Sequence, residues 1–427
     1  MSKLSEMIAT LCPNGVEYKR FSEVCFYIRG VTYGKSQEIR NGEDGWKVLR
    51  ANNITLSTNS LNYDDVKVIS KNVKVKPAQL LRKGDILICA GSGSKEHVGK
   101  VAYISEDSDY TFGGFMAVVR AQNASVDTRY LYHVLTSALF INYLKSALNS
   151  TTINNLSNSV IGPFEFPLPP LPIQREIVQT LDNFANLTAE LTAELAKRKK
   201  QYEHYRDMLL NFTGGGRYDK FGDENGSPHI EWKRLGEVAE IMRGGNLQKK
   251  DFVESGCPCI HYGQIYTRFG IYADKPLTYI SSESVAKQKF ARPGDIVMAV
   301  TSENVDDVCK CLAWIGEEPV AVSGHTAIIR HNQNPKYLAY YFHTSAFDVQ
   351  KRRLAHGTKV IEVTPDKLAD IKIPLPPLKE QNRIVAILDR FDALCNSLTE
   401  GLPAEIALRK KQYEYYRDKL LSFKEAS

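Results

Sequence analysis

Long apolar runs are missing from this sequence. Its longest fairly apolar stretch, 130–144, contains His133, Thr136, Ser137 and Asn142 and is too short to cross a bilayer. The opening residues, MSKLSEMIATLCPNG, have no apolar core of the kind that a signal peptide needs. The eight cysteines follow no regular framework, which is typical of proteins in a reducing compartment. The sequence therefore predicts a cytoplasmic protein without a membrane partner.

Recognisable catalytic motifs are missing as well. The nine histidines form no HExxH motif, and no NPPY-type tetrapeptide suggests an amino-methyltransferase. The segment 93–101, GSKEHVGKV, falls short of a phosphate-binding loop, since Ser94 takes the place of the first glycine. Asp85 and Asp295 each follow a glycine, but no E-x-K follows them to complete a nuclease site. We interpret both as turn formers before strands and expect no catalytic residue and no cofactor in this chain.

Cysteine spacing offers one alternative that involves a metal. Cys257 and Cys259, together with Cys309 and Cys311, could supply thiolates to zinc. The usual structural spacing is C-x-x-C, however, and the first half of the chain has no cysteines at the corresponding places. Alternating cysteines in a buried strand explain the pattern without a ligand. We therefore predict no metal site, and zinc remains the alternative.

The composition that is present is ordinary for a globular protein. Apolar residues make up 43% and charged residues 24% of the 427 residues, a length that suggests about two to four domains. The formal net charge is +6 and the pI is near 8.7. This mild positive excess is compatible with a nucleic-acid partner but does not by itself indicate one.

The most informative feature is a segment that occurs twice. Residues 167–212 run PLPPL, then Gln174, then a helical pattern that ends RKKQYEHYRDMLLNF. Residues 374–423 repeat this order with Gln381 and the ending RKKQYEYYRDKLLSF. The two endings differ only at His204/Tyr415, Met208/Lys419 and Asn211/Ser422. Such a repeat predicts two similar halves, each ending in a long helix.

Each repeated segment carries an apolar stripe at helical spacing. Apolar residues recur three or four positions apart, and from Tyr202 to Phe212 they keep heptad spacing. A helix of ~40 residues is roughly 60 Å long and needs a partner, so we predict that the two helices pair along a seam. The predicted seam comprises Ile177, Leu181, Phe184, Leu191, Tyr202, Tyr205, Leu209, Ile384, Leu388, Phe391, Leu398, Tyr413, Tyr416 and Leu420. Gly401 and Pro403 predict a kink or break in the second helix.

Further repeated motifs outside the helices define the domains. VEYKRFSEV at 16–24 returns as IEWKRLGEV at 230–238, and GGFMAVVR at 113–120 returns as SGHTAIIR at 323–330. We predict an α/β (α+β) protein with two similar globular domains, separated by two long antiparallel coiled-coil helices in a pseudo-two-fold repeat. The predicted boundaries are 1–165 for the first globular domain, 166–213 for the first spacer helix, 214–228 for a glycine-rich linker, 229–372 for the second globular domain and 373–427 for the second spacer helix.

The two halves differ most in the loops between these shared segments. Residues 29–80 and 243–290, like the loops 91–100 and 301–310, barely resemble each other. Matching domains with different loops predict recognition of two different targets by similar means. The loops are rich in side chains that contact phosphates and base edges of DNA. The candidate DNA-binding residues are Arg29, Lys35, Arg50, Asn52, Asn53, Ser92, Ser94, Lys95, His97, Lys100, Arg243, Asn246, Gln248, Lys249, His261, Gln264, Arg268, Thr301, Asn304 and Lys359.

One pair of candidates stands at matching places in the two halves. Arg50 precedes an Asn-Ile dipeptide that ends at Ile54, and His261 precedes a Gln-Ile dipeptide that ends at Ile265. This correspondence predicts that Arg50 and His261 face the same groove of DNA.

The order of these motifs resembles that of a known family. VEYK-x-F/L-x-EV, then GDI, then PLPPL-x-x-Q, then RKKQYE-x-YRD-x-LL is similar to the specificity subunit of type I restriction–modification enzymes. The likeness covers both halves and nearly the whole chain. The LTAELTAEL run at 187–195 is also similar to the repeat in the spacer helices of that family.

The resemblance implies a role for each part of the chain. Each globular domain would be a target recognition domain that reads one half of a bipartite asymmetric site in double-stranded DNA. The helices would set the spacing and dock two DNA methyltransferase subunits, and through them the restriction/translocase subunits. The chain itself would be non-catalytic, with S-adenosylmethionine, ATP and Mg²⁺ bound in the partner subunits. The alternatives are a metal-dependent nuclease or a methyltransferase with an unfamiliar site, and a scaffold that binds protein or RNA.

Overall fold

A computed structural model of the chain describes residues 3–40, 42–56, 58–149, 155–212, 230–397 and 399–426. The predicted linker 214–228 and the predicted seam residue Leu398 lie outside these described residues. The chain divides into two compact units, one formed by Met1–Glu190 with Ile406–Ser427 and the other by Leu191–Glu405. Each unit therefore contains one globular part and portions of both long helical segments.

Two four-stranded sheets form the centre of the first unit. Its strands are β1 (Tyr18–Arg20), β2 (Cys25–Arg29), β3 (Glu38–Ile39), β4 (Gly45–Leu49), β5 (Ile54–Thr55), β6 (Ser60–Leu61), β7 (Lys67–Ser70), β8 (Ile86–Cys89), β9 (Val101–Tyr103), β10 (Tyr110–Phe112), β11 (Met116–Ala121) and β12 (Glu165–Pro167). One sheet has the order β2–β11–β8–β9 and is antiparallel. The other has the order β10–β4–β7–β3, with β10 and β4 parallel.

Helices cover one face of the antiparallel sheet. The helices that begin in the first unit are α1 (Lys3–Leu11), α2 (Phe21–Val24), α3 (Thr128–Thr136), α4 (Ala138–Asn149), α5 (Asn158–Ile161) and α6 (Leu171–Leu210). Strand β8 is apolar throughout because both of its faces are covered. Ile86 belongs to the same core cluster as Tyr130 of α3. Leu87, on the opposite face, belongs to the cluster that contains Phe112 of the other sheet.

The second unit repeats this plan with five-stranded sheets. Its strands are β13 (Glu231–Arg234), β14 (Ala239–Arg243), β15 (Phe252–Val253), β16 (Cys257–Ile260), β17 (Tyr272–Ala273), β18 (Thr278–Ile280), β19 (Lys289–Ala291), β20 (Ile296–Ala299), β21 (Thr301–Ser302), β22 (Cys311–Trp314), β23 (Val320–Val322), β24 (Thr326–His331), β25 (Ile361–Glu362) and β26 (Lys372–Leu375). The sheet orders are β14–β24–β20–β22–β17 and β15–β18–β16–β23–β19. The predicted internal repeat is confirmed in the sheets, since β24 lies between β14 and β20 as β11 lies between β2 and β8.

The remaining helices repeat the order of the first unit, with two additional short helices at Tyr262–Thr267 and Ser282–Val285. They are α7 (Leu235–Val238), α8 (Tyr262–Thr267), α9 (Ser282–Val285), α10 (Pro335–Tyr341), α11 (Ser345–Leu354), α12 (Pro365–Ala369), α13 (Leu378–Asn396) and α14 (Gly401–Leu420). The predicted break in the second long helix is confirmed between α13 and α14. Gly401 stands there with φ of +76°, a conformation that residues with side chains rarely adopt. Among the described residues, no helix combines the length and the apolar character that crossing a membrane requires.

The turns that precede β8 and β20 are made by glycine and aspartate, as predicted. Gly84 has φ of +87°, and the Asp85 carboxylate accepts a 2.9 Å hydrogen bond from a backbone N–H earlier in the turn. Asp85 is buried and also forms an ion pair with Arg120 at 2.6 Å. Asp295 forms the corresponding ion pair with Arg330 at 3.1 Å. Each aspartate therefore ties its turn to the neighbouring strand.

A buried glutamine explains the repeated PLPPL-x-x-Q motif. The Nε2 of Gln174 donates to the carbonyl of Pro169 at 2.7 Å, and its Oε1 accepts from the backbone N–H of Asp127 at 2.8 Å. Gln381 likewise accepts from the backbone N–H of Asn334 at 3.0 Å. Asp127 and Asn334 are the N-cap residues of α3 and α10. The glutamine thus fixes the start of each long helix against a helix of the globular part.

Candidate nucleic-acid interface

A groove of about 890 Å³ in the first unit gathers several of the predicted DNA-binding residues. It is lined by the ends of β2 and β4, the loop after β8 and the turn between β10 and β11. Of the candidates named from the sequence, Arg29, Arg50, Asn52 and Ser92 line it. Residues that are far apart in the chain therefore meet in one groove.

Arg29 holds the wall of this groove together. Its Nη2 donates to the carbonyl of Gly114 at 2.8 Å, and its Nη1 donates to the side chain of Asn155 at 3.2 Å. Arg29 thereby connects the end of β2 to the glycine turn before β11. The guanidinium supplies positive charge to the groove while its position is fixed by backbone and amide acceptors.

Arg50 and Asn52 share one acidic partner. The Nη2 of Arg50 lies 2.6 Å from a carboxylate oxygen of Asp65, and the amide of Asn52 donates to the same oxygen at 3.0 Å. Asn53 is fully buried, and its amide donates to the carbonyl of Asn62 at 3.1 Å. Asn53 therefore shapes this loop from inside, whereas Arg50 and Asn52 remain at its surface.

The other candidates of the first unit lie in different environments. Lys35 and Ser94 are exposed, and His97 is half-buried. Lys100 is buried and donates to the carbonyl of Ile54 at 2.9 Å, and burial lowers the pKa of its ammonium group. Lys100 thus braces the neighbouring loop. The side chain of the last candidate, Lys95, lies outside what the structure describes.

The second unit places Arg243 where the first unit has Arg29. Its Nε donates to the carbonyl of Gly324 at 2.8 Å, the same contact that Arg29 makes with Gly114. Its Nη1 forms an ion pair with Glu362, whereas Arg29 uses a neutral amide. The two halves therefore share this brace, the hydrogen bond from an arginine to the turn carbonyl, but differ in the charge of the second acceptor.

His261 caps helix α8 and lies at the position of Arg50. It follows β16, which runs parallel to β23, as Arg50 follows β4, which runs parallel to β10. Its Nδ1 accepts from the backbone N–H of Gly263 at 3.2 Å, and Gln264 accepts from the backbone N–H of His261 at 2.9 Å. Burial lowers the pKa of His261. The matching places inferred from the sequence are thus matching places in the fold.

A cluster of rings surrounds Thr301 in the second unit. The Oγ1 of Thr301 lies 2.9 Å from Nδ1 of His325, and the His325 ring lies 4.8 Å from that of Tyr262. The backbone N–H of Tyr262 donates to the hydroxyl of Ser323 at 3.0 Å. These contacts hold the turn before β24 against the start of α8.

The remaining candidates of the second unit lie on exposed parts of loops. These exposed residues are Asn246, Gln248, Lys249, Arg268, Asn304 and Lys359. The amide of Asn304 donates to Asp307 at 2.8 Å, which orders the loop after β21. The exposed cations among them are free to approach a polyanion without the loss of a buried contact.

Sequence reasoning missed the aromatic residues of both surfaces. Phe115 and Tyr33 line the groove of the first unit. Tyr262, Tyr266 and His325 form the ring cluster of the second unit. The available signal was the shared turn, in which GGF and SGH place Phe115 and His325 at the same position.

The cysteines that suggested zinc are divided between separate cores. Cys309 and Cys311 belong to the core cluster around Tyr337, and burial raises the pKa of the Cys309 thiol to about 12. Cys257 and Cys259 pack in a different cluster. Within the described ranges, no group of three or more His, Cys, Asp or Glu side chains could hold a metal ion.

The predicted seam residues Ile177 and Leu181 belong to the globular core of the first unit, in the same cluster as Phe21 and Ile86. Ile177 and Leu181 are fully buried, and Tyr413 and Leu420 pack against the same cluster as partly buried residues. Phe184 stacks on the ring of Tyr416 at 5.3 Å, although Tyr416 is 40% exposed. Burial raises the pKa of the Tyr413 hydroxyl.

The second unit has an equivalent arrangement, with Tyr202, Ile384 and Leu388 in the same core cluster as Ile296 and Tyr337. Tyr202, Ile384 and Leu388 are buried, and the rings of Tyr205 and Phe391 lie 5.6 Å apart. Leu191 and Leu209 are half-buried. Sequence reasoning missed Leu210 and its counterpart Leu421, which are 0% and 4% exposed.

The fold and this surface define a class of duplicated protein. A domain of mixed strands with variable loops, followed by a long helical segment, occurs twice in the chain. This chain belongs to the family of type I restriction–modification specificity subunits. The family described as "Type I restriction modification DNA specificity domain" matches residues 13–198 and again residues 229–408. The duplication seen in the structure is thus a duplication of the family domain.

Similar proteins are named as specificity subunits of type I restriction enzymes. The chain is 39% identical over 284 residues to the type I restriction enzyme EcoR124I/EcoR124II specificity subunit of Escherichia coli, a match that spans 64% of this chain and 65% of that protein. It is 32% identical over 354 residues to a protein of Haemophilus influenzae named for a type I restriction enzyme specificity subunit, with 77% and 84% of the two chains covered.

A solved structure supports the fold over nearly the whole chain. A chain from a structural study of complex assembly and conformational transition of the type I R-M system gives a TM-score of 0.63 at 22% identity. The superposition covers 96% of this chain and 98% of that one. At this identity the likeness concerns the fold.

Proposed function

We propose that this chain is the DNA-recognition subunit of a type I restriction–modification complex, and that each globular domain reads one half of an asymmetric bipartite site. The helices set the distance between the half-sites and dock two methyltransferase subunits, which in turn carry the restriction/translocase subunits. The chain contributes no catalytic group. S-adenosylmethionine, ATP and Mg²⁺ belong to the partner subunits.

The observation that carries this proposal is the contrast between matching braces and different loops. Arg29 and Arg243 each donate to a turn carbonyl at 2.8 Å, so the two surfaces are built on one plan. The side chains at matching places on that plan differ, with Arg50 in one half and the buried His261 in the other. Two surfaces that share a backbone plan but carry different side chains suit two different base sequences.

Exposed cations supply the part of the binding that does not depend on sequence. Lys35 in the first unit and Lys249, Arg268 and Lys359 in the second are exposed. Contacts of such side chains with phosphates release counterions, so affinity should fall steeply as salt rises. Base edges are then read by the groove residues, of which Arg50, Asn52 and Ser92 carry hydrogen-bonding groups.

Methylation mapping of the host genome with and without the chain tests the proposal. We expect one asymmetric two-part motif to lose its methylation when the chain is absent. The purified chain with its methyltransferase partners should bind that duplex in preference to a scrambled one. Turnover of S-adenosylmethionine by the chain alone, or equal binding to both duplexes, would contradict the proposal.

The salt dependence of DNA affinity distinguishes lysines that contact phosphates from lysines that pair within the protein. Replacing Lys249 with alanine should reduce the slope of log affinity against log salt by about 1. Lys3 is a suitable control, because its ammonium group is paired with Glu176 at 2.6 Å on the helical face of the first unit. Lys3→Ala should leave the slope unchanged.

An insertion in α6 tests the spacing role of the helices. Adding TAEL after Leu195 lengthens a helix by ~6 Å and turns its far end ~40° beyond a full turn. Since DNA turns about 35° per base pair, the unread spacer of the methylated motif should grow by about one base pair. Both half-sites should stay the same. An unchanged spacer would mean that the helices do not set the distance.

A further inference from the structure

The turn between β10 and β11 presents an apolar ring to solvent. Phe115 is 74% exposed, the largest exposed fraction among the large apolar side chains in the described part of the chain. Exposure of a phenyl ring gives no stability to the fold, since the gain from burial is lost. The position of Phe115 therefore calls for an explanation other than packing.

The backbone that carries this ring is held on several sides. The carbonyl of Phe115 accepts from the N–H groups of Ala90 and Gly91, each at 2.9 Å. The preceding carbonyl, that of Gly114, accepts from Arg29 at 2.8 Å. An exposed ring on a fixed turn loses little backbone freedom when it binds a partner.

The surroundings of the ring are those of a surface for nucleic acid. Phe115 lines the same groove as Arg29, Arg50, Asn52 and Ser92. These neighbours offer positive charge, amide groups and a hydroxyl, which suit phosphates and base edges. An apolar ring among them suits the one apolar group on the major-groove edge of a base pair, the 5-methyl group of thymine.

The second unit has different chemistry at the same position. His325 replaces Phe115, and its ring is tied to Thr301 at 2.9 Å and packed against Tyr262. Both residues are exposed, but the ring of His325 is polar and contacts Thr301, whereas the ring of Phe115 is apolar and mostly in solvent. The two turns therefore read different features, and the apolar one belongs to the first unit.

We propose that Phe115 contacts the 5-methyl group of a thymine in the half-site read by the first globular domain. This inference rests on the proposed function. It makes Phe115 a specificity-determining residue that adds a preference for thymine to the hydrogen bonds made by the polar residues of the groove.

Replacement of thymine by deoxyuridine in the DNA tests the contact. The complete chain with its methyltransferase subunits is titrated with duplexes that carry the mapped site. Each thymine of the first half-site is replaced in turn by deoxyuridine, which lacks only the methyl group. At one position the affinity should fall about fourfold, the effect expected for loss of one buried methyl group.

Two variants assign this effect to the ring. Phe115→Ala should bind the thymine and deoxyuridine duplexes equally well, so that the fourfold ratio disappears. Phe26→Ala is the matched control, because Phe26 is also a phenylalanine of the first unit, lies on β2 and is 52% exposed. It should keep the fourfold ratio. Thermal unfolding of both variants verifies that the fold is unchanged.

Several results would overturn the inference. A wild-type complex that is insensitive to deoxyuridine at every thymine of the half-site has no such contact. A Phe115→Ala complex that keeps the fourfold ratio assigns the methyl contact to another residue. Uniformly weaker binding with the ratio retained would indicate that the ring acts as a wedge between bases. These results leave the proposed function intact, whereas failure to distinguish the site from a scrambled duplex overturns both.

Discussion

The two junctions between globular part and long helix have the same design and different side chains. In the first unit, Asp182 on α6 lies 2.9 Å from Nε of Arg129 and 3.0 Å from Nε2 of His133. The other ring nitrogen of His133 lies 3.0 Å from the hydroxyl of Tyr413. Since the carboxylate can only accept, His133 donates through Nε2, and the neutral ring accepts from Tyr413.

In the second unit, the acceptor is Asp389 on α13. Lys336 lies 2.9 Å from one of its oxygens, and the hydroxyl of Tyr340 donates to the other at 2.7 Å. The comparison teaches that the carboxylate on the helix is the fixed requirement. The donors that face it vary, because Arg with His and Lys with Tyr satisfy the same acceptor.

The largest effect should come from the buried ion pairs that both units share. We expect Asp85→Ala and Asp295→Ala each to destabilise its own unit by about 3–5 kcal/mol, because each removes the nearest carboxylate of a partly buried arginine. Arg330 keeps a longer ion pair with Glu240 at 3.8 Å. The loss should be greater for Asp85, which Arg120 contacts through Nε at 2.7 Å and Nη2 at 2.6 Å. Denaturant unfolding of the two variants measures the difference.

Surface ion pairs provide the control for that measurement. Lys47 and Asp109 form a pair at 3.0 Å with exposed side chains, and Asp109→Ala should cost less than about 1 kcal/mol. Equal losses for Asp85→Ala and Asp109→Ala would contradict the assignment of Asp85 to the core.

A smaller effect should follow when the junctions are broken. Asp182→Ala leaves the buried ring of His133 without its acceptor, and Asp389→Ala does the same to the hydroxyl of Tyr340. We expect each substitution to cost about 1–3 kcal/mol, the usual penalty for an unsatisfied buried donor. Hydrogen exchange of α3 and α10 would locate each loss. If only one of the two substitutions destabilised its unit, the two junctions would not be equivalent.

Much of this duplicated design was predictable from the sequence, because its repeats are local. The PLPPL-x-x-Q motif, the glycine–aspartate turns and the break at Gly401 depend on residues close together in the chain. The contacts of Gln174 with Asp127 and of Asp85 with Arg120 were not predictable, since they join residues far apart in the chain. Periodicity identified the helical stripe but missed Leu210 and Leu421, where the helix end is also covered by the globular part.

The interface was predictable only in part for the same reason. Residue type singled out Arg29, Arg50 and Asn52, which do meet in one groove. Residue type could not separate them from Asn53 or Lys100, because burial depends on the fold. Aromatic residues such as Phe115 were overlooked, since an aromatic side chain in a sequence is usually a core residue.

The smallest predicted effect concerns pH and sharpens the comparison of the junctions. Burial is the main cause that lowers the pKa of His133. The charged groups that also act on its ring are Asp182, Arg129 and Arg417. The unfolded chain therefore binds the proton more readily, so this contribution to stability is complete above about pH 6.5 and declines as pH falls below it. The decline cannot exceed about 1.4 kcal/mol per pH unit for one proton.

His133→Tyr places the residue type of the second junction in the first. We expect the variant to keep its stability near pH 7 and to lose the decline that His133 causes below about pH 6.5. Wild type and variant must be compared directly, because His331 and His343 of the second unit, whose pKa values burial lowers to about 4, also destabilise the chain in acid. Parallel pH profiles for the two proteins would contradict the prediction.

The central claim is that each globular domain reads one half of the DNA site independently. Exchange of residues 1–150 for those of a relative with a different target tests it most directly, with methylation mapping by sequencing as the measurement. The account predicts that one half of the methylated motif changes to that of the relative, while the other half and the spacer stay the same. A motif altered in both halves, or in neither, would contradict it.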